Sequence, residues 1–210
     1  EMMADYVLEG IMRAVLDGSD SRTSYLRDHV SFFIVPFADK DGVEDGDQGK
    51  RRRPRDHGRD YEGESIYPET AAIREMVPRW SDGRLDICLD LHCPHISGTH
   101  NEVIYLVGSR DERNAGEQVR FSTMLESIAA GPLPFRRSDF LPFGVDWNAG
   151  SNYTAGKGFS RWGRELPGIR LSTAIEFPYA NASGGEVTPE SARLFGRDLA
   201  AALDEYLRNG

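Results

Sequence analysis

Four short apolar runs constrain any fold of this chain: 30–37 (VSFFIVPF), 85–92 (LDICLDLH), 102–108 (EVIYLVG) and 170–177 (RLSTAIEF). Each has the length of a β-strand and is rich in leucine, β-branched or aromatic residues. Between and around them lie segments of helical period. Met2 to Leu16 repeats its apolar residues at Met3, Tyr6, Val7, Ile11, Ala14 and Val15, and Gly18 suits a helix stop. Pro68 to Trp80 carries Pro68-Glu69 in what would be a first turn. Asp111 to Ala130 reads as a long helix, and Val187 to Leu207 as an amphipathic one that Thr188 or Ser191 can cap. Strand and helix alternate. The expectation is an α/β domain: a mixed, mostly parallel central sheet with helices on both faces.

At 210 residues the chain reads as a single domain spanning 1–210, long enough to bury a substantial core. Its formal net charge of -9 argues against binding nucleic-acid phosphates, which calls for excess Lys and Arg. The run Lys50-Arg51-Arg52-Arg53-Pro54-Arg55 is a local exception. No apolar stretch is long enough to span a bilayer. Cys88 and Cys93 form no CxxC motif, and two cysteines define no disulfide scaffold, so the compartment stays open.

Two stretches lack a secondary-structure period: 38–65, dense in Asp, Gly, Lys and Arg, and 131–168, rich in Gly, Pro and aromatics. Long loops inside compact domains usually carry function. Polar clusters fall just past strand ends, in the 38–65 loop, from His92 to His100, and at Glu176. In an open α/β sheet such ends converge on one crevice. Histidine, carboxylates and arginines meeting there suit metal-assisted attack on a carbonyl.

The pieces Val35-Pro-Phe-Ala-Asp-Lys-Asp-Gly42, Asp56-His-Gly-Arg59-Asp60-Tyr61, Asp90-Leu-His92 and Ala174-Ile-Glu176-Phe-Pro stand in a telling order. Together they resemble the zinc carboxypeptidase family, bacterial-type branch, whose motifs run HxxE, NPDG, an Asn-Arg pair, a strand-end His and a catalytic Glu. The stretch from Glu1 to Glu9-Gly10 is similar to the helix that follows HxxE in that family. The resemblance implies that Glu1 is the glutamate of HxxE, that its histidine lies upstream, and that the domain lacks its N-terminal part. It also implies one zinc ion ligated by Glu1 and His92, with Glu176 as general base and then proton donor. Arg59 would grip a substrate carboxylate, and Arg52 would stabilise the oxyanion; Arg51 and Arg53 adjoin it, so that assignment can slip by one.

The chain departs from the family at Gly58, which stands where the Asn of the Asn-Arg pair is expected. Tyr153, in the loop Gly150 to Gly156, is a candidate for the mobile tyrosine that covers substrate. His95 and His100 read as pocket or structural residues, and His57 as support for the Arg59 loop. The implied activity is hydrolysis of an amide in a peptide or small amide bearing a free carboxylate. An N-acyl amino acid deacylase of aspartoacylase type shares the scaffold and suits a lone arginine. A catalytically inactive module binding peptide or glycan is the reading from another class.

Overall fold

The structure is a computed structural model and describes residues 2–47, 49 and 52–209. The predicted helices form: α1 (Met2–Asp17), α4 (Pro68–Ser81), α5 (Glu112–Ile128) and α7 (Pro189–Arg208). Three shorter ones join them: α2 (Ser24–His29), α3 (Lys40–Asp45) and α6 (Phe159–Gly163). Their ends follow local chemistry. Gly18 beyond α1 takes φ +67°, and Asp82 with Gly83 turns left-handed after α4. Asp111 caps α5 by accepting from Asn114 N, and Asp39 caps α3 by accepting from Gly42 N. Thr188 and Ser191 cap α7 reciprocally, so both residues considered from sequence take part.

The sheet is smaller than expected. It holds β1 (Ile87–His92), β2 (Tyr105–Leu106) and β3 (Leu171–Glu176) in the order β1-β3-β2. β1 and β3 run parallel in register, whereas β2 pairs antiparallel with β3. A short hairpin, β4 (Asn181–Ala182) with β5 (Gly185–Glu186), stands apart. The fold is therefore mixed α/β, but an extensive, mostly parallel sheet is not what the described residues form. The run 30–37 is the main difference. It is extended without being a strand, and Phe32, Ile34, Val35 and Phe37 are each at least 36% exposed. A strand exists by virtue of a partner ladder. Among the described residues no backbone–backbone hydrogen bond involves residues 31–38. The run 102–108 likewise keeps only two strand residues, Tyr105 and Leu106 on β3, with Val107 in an isolated bridge to Leu141.

Helices lie on both faces. On one, α1, α5 and α7 enclose the main core, into which Leu171, Ile175 and Phe177 project with Ile104 and Leu106. On the other, Ile73 and Val77 of α4 pack with Tyr61 and with Trp162 of α6. Gly163 of α6 approaches β1 so closely that a Cβ there would stand 2.9 Å from Cys88 Sγ and from Ser172 Oγ. α1 and α7 cross through Gly10 and Gly196, where the backbones meet without side chains between them. Beside that crossing Glu9 accepts from Arg193 Nε at 2.7 Å. α7 also carries two buried carboxylates that hold chain turns in place. Asp198 accepts from Ala130 N and Gly131 N, and Asp204 from Leu26 N. No helix among the described residues is long and apolar enough to cross a membrane.

Candidate active site

Strand register determines what meets at the carboxyl end of the sheet. His92 ends β1, Glu176 ends β3, and the two are direct register partners on adjacent parallel strands. Paired residues on neighbouring strands share a face, with backbones about 4.8 Å apart. Phe177 N donates to His92 O at 2.7 Å and locks the last rung. From the antiparallel side, Tyr105 of β2 stands opposite Glu176. Glu176 is buried, 6% exposed, whereas the His92 side chain is 39% exposed. Asp90 lies two residues before His92 on the same strand face, its Oδ1 4.0 Å from His92 Nδ1.

The arginine predicted to hold a carboxylate reaches the same cleft. Residues His57 to Arg59 form a single 3-10 turn. Asp60, fully buried, anchors it by accepting from Arg55 Nε at 2.6 Å and from the backbone N–H groups of Ile66 and Tyr67. The 150–158 loop docks alongside through the Asp60–Lys157 bridge. Gly156 is required there: at φ +143° it faces Arg59 O at a separation that no Cβ could occupy. The docking stacks Arg59 on the Tyr153 ring, 5.1 Å from its centroid, and places Arg161 over the same ring at 5.2 Å. Gly58, the position of the expected Asn, offers its carbonyl to Arg59 Nη1 at 3.1 Å.

Tyr153, the candidate cover, is held through its hydroxyl in this conformation. Its hydroxyl donates to Asn148 Oδ1 at 2.7 Å, and the buried Asn148 in turn donates to Gly108 O and Leu141 O. Burial raises the Tyr153 pKa, the Arg59 and Arg161 charges oppose that rise, and Glu176 adds to it. Burial also raises Tyr105, again with help from the Glu176 charge. One carboxylate thus influences both phenols, and His92, Glu176, Arg59 and Tyr153 line one cleft.

Arg52 is placed differently. Its guanidinium engages Asp39 at 2.5 Å and Asp47 at 2.9 Å, and Nη1 donates to His57 Nδ1. Burial works against its charge, the two carboxylates outweigh that, and its pKa rises. Gly42 makes the arrangement feasible, since a Cβ there would collide with both Arg52 and Asp39. His57 stacks on Tyr67 at 3.7 Å and so braces the turn that carries Arg59. His100 pairs with Asp146 at 2.9 Å, with its ring 5.5 Å from that of Tyr105. Glu1, predicted as a metal ligand, lies outside the described residues, as does Arg51.

The sequence reading missed three residues of this site. Arg161, on α6, and Asn148 both fall in the 131–168 stretch, whose sequence has no period, and no local signal marks them. Asp90 was legible, because a period of two puts it beside His92 on any strand. An imidazole at a strand end suits zinc, and a catalytic site needs three protein ligands with one open position. Among the described residues no group of three or more His, Cys, Asp or Glu is arranged to hold an ion. The described residues therefore do not by themselves complete such a ligand set.

No protein-family model matches this chain, and no curated protein matches it. Solved structures do. The whole chain superposes on a metallo-carboxypeptidase from Burkholderia cenocepacia with a TM-score of 0.72 and 20% identity, covering 54% of that chain. It superposes equally completely on a protein described as a carboxypeptidase from Burkholderia mallei ATCC 23344, with a TM-score of 0.75, 21% identity and 54% coverage. The chain spans about half the length of the solved structures it matches. At this identity the likeness establishes the fold alone: the one these two proteins share with the chain over about half of their length.

Proposed function

We propose that the cleft belongs to a zinc-dependent, carboxypeptidase-type amide hydrolase. The observation that carries this reading is the register pairing of His92 with Glu176 at the carboxyl ends of adjacent parallel strands, facing the cleft that Arg59 enters. The reading makes His92 a zinc ligand, with Glu1 as another from outside the described residues. Zinc, when bound, supplies Lewis acidity that makes water nucleophilic near neutral pH.

The protein's own residues divide the remaining work. Glu176 takes the proton of the attacking water on a carboxylate oxygen and returns it to the departing amine. Its buried position at the end of β3, in register with His92, places it to make that exchange. Arg59 holds a substrate carboxylate through its planar fork, with Tyr153 as the surface on which it is oriented. With Gly58 in the Asn position, no side-chain amide assists it there. Arg161, over the same Tyr153 ring, is the nearby cation able to share the load. The oxyanion role of Arg52 requires it to exchange Asp39 or Asp47 for the substrate carbonyl.

The substrate is thus a peptide or small amide with a free carboxylate. The lone-arginine arrangement at Gly58 and Arg59 also favours an N-acyl amino acid deacylase as a second reading. The test is hydrolysis of a peptide mixture and of N-acyl amino acids by the full gene product, wild type and Glu176→Gln. The proposal predicts turnover that falls at least about 1,000-fold in the variant, within the range general acid–base catalysis supplies. The substrate consumed chooses the branch. Turnover equal in both proteins would remove Glu176 from the chemistry, and binding without turnover would favour an inactive module.

A further inference from the structure

A smaller cavity, of about 230 Å³, adjoins the cleft at Tyr153. Val107, Tyr153, Ser160 and Arg161 line both spaces. Pockets for whole small ligands run to roughly 300–1,000 Å³, so this one suits a single side chain.

The polar groups around it are biased in one direction. Asn114, Gln118 and Ser172 are buried in its lining, and their acceptors are engaged from within the fold. Asn114 Oδ1 accepts from Ser172 N at 2.9 Å, and Gln118 Oε1 from Ser109 N at 2.7 Å. Ser172 Oγ donates to Ser160 O at 2.7 Å. Ser109 Oγ accepts from Asp111 N, which leaves its own proton to donate. The charged groups of the lining are Arg110 and Arg161, and among the described residues it contains no carboxylate.

Neither arginine is neutralised by the chain itself. Arg161 rests on the Tyr153 ring, and among the described residues neither it nor Arg110 pairs with a carboxylate. Asp111, next to Arg110 in sequence, is taken by Arg164 and by the cap of α5. Arg59 brings a second guanidinium to the Tyr153 ring, at 5.1 Å from the centroid against 5.2 Å for Arg161. Their mutual repulsion is a cost that a bound anion offsets. Acidic residues outnumber basic ones in this chain, 34 to 25, so partners for arginines are plentiful. Guanidiniums left unpaired beside a pocket without acidic groups therefore mark a place for an anion from outside.

We propose that this pocket reads the side chain of the residue whose main-chain carboxylate Arg59 holds, and that Arg161 and Arg110 make it select an acidic one, aspartate or glutamate. The inference rests on the amide-hydrolase reading of the cleft for where that residue sits. The substrate then carries two carboxylates, one for Arg59 and one for the Arg161–Arg110 pair, with the Tyr153 ring between the two tasks. A lysine in the same place would meet two cations and find no carboxylate. Both arginines are exposed, so each contributes modestly, by about 3- to 5-fold, and salt weakens the preference.

Peptides identical except for a last residue of Glu, Asp, Gln, Leu or Lys test it on the full gene product. kcat/KM for Glu should exceed that for Gln, its neutral isostere, by about 10-fold or more, the product of two such contributions. Lys should be the poorest of the five. Arg161→Ala and Arg110→Ala should each shrink the Glu-to-Gln ratio by at least about 3-fold, and Arg161→Glu should turn the order toward Lys. A wild-type ratio near one would overturn the proposal. So would an Arg161→Ala protein slowed equally on all five peptides, because Arg161 would then serve the main-chain carboxylate alone. Calorimetry with free glutamate and free glutamine separates recognition from chemistry. Glutamate bound about 10-fold more tightly, with that margin lost in Arg161→Ala, would uphold the pocket even if no peptide were cleaved, and only the hydrolase reading would fall. Equal affinity, or none for either, in a protein that cleaves nothing would overturn the pocket as well.

Discussion

Substituting Gly196 with alanine should destabilise the protein even though alanine is the better helix former. A Cβ at Gly196 would stand 2.9 Å from Gly10 Cα and 3.0 Å from Ile11 N, and closer still to Val7 O. Carbon contacts are optimal near 3.5–4.0 Å, so relieving the tightest of these contacts would make α1 and α7 part by about 1 Å or more. The obstructing atoms are backbone, which no rotamer change can move aside. Overpacking of this kind costs about 1–3 kcal/mol, and the upper end applies here. Helix propensity returns about 1 kcal/mol. The net loss is about 2 kcal/mol, or a Tm lower by about 4–8 °C in a chain of this size. Gly116, exposed on α5, supplies the control, because a Cβ there meets nothing within 4 Å. Gly116→Ala should stabilise by about 0.5–1 kcal/mol. Thermal and urea melts of the two variants, read by circular dichroism, therefore carry opposite signs. A Gly196→Ala protein as stable as the parent would refute the close crossing. The consequence reaches the cleft, since α1 lines its groove through Leu8 and Ile11.

Other parts of the structure are open to equally direct tests. Asp60→Asn should cost at least about 3 kcal/mol in urea melts, because it leaves Arg55 without the buried partner that holds it; a loss under 1 kcal/mol would contradict the anchoring role. Burial pushes the Cys88 thiol from 9.0 up to about 12, so its neutral form is favoured in the fold. That contribution is complete below about pH 9, where the unfolded thiol titrates, and is lost as pH rises through about 12. Mass spectrometry after iodoacetamide treatment at pH 8 should accordingly show Cys88 modified no faster than the protein unfolds. Arg161→Ala should raise KM for a carboxylate-bearing substrate by about 3- to 30-fold with little change in kcat, the pattern of lost uniform binding; an unchanged KM would leave Arg161 a surface residue.

How much of this was legible depended on whether the signal was local. The four long helices were readable because period, caps and stops all lie within the segment, as Asp111, Thr188 and Gly18 show. His92 and Glu176 were readable because each closes an apolar run, and strand ends in this fold class converge. The run 30–37 has every mark of a strand, but strand identity depends on a partner, and none of the described strands pairs with it. Arg52 stood out as one basic residue among several, whereas its neighbours Asp39, Asp47 and His57 come together only through the α3 turn and Gly42. The stacking of Arg59 and Arg161 on Tyr153 joins residues about a hundred positions apart, in a region without period. Glu9-Gly10 was noticed only as a pattern; its physical content is an ion pair to Arg193 beside a backbone crossing at Gly196.

The central claim is that the His92 end of β1 holds a catalytic metal, and zinc content tests it most directly. Elemental analysis of the full gene product, wild type and His92→Ala, purified without chelator, is the measurement. The account predicts about one zinc per chain in the wild type, as expected for a single catalytic site, and loss of that zinc with His92 while circular dichroism stays unchanged. Zinc retained in the variant, or absent from a folded wild-type protein, would contradict it.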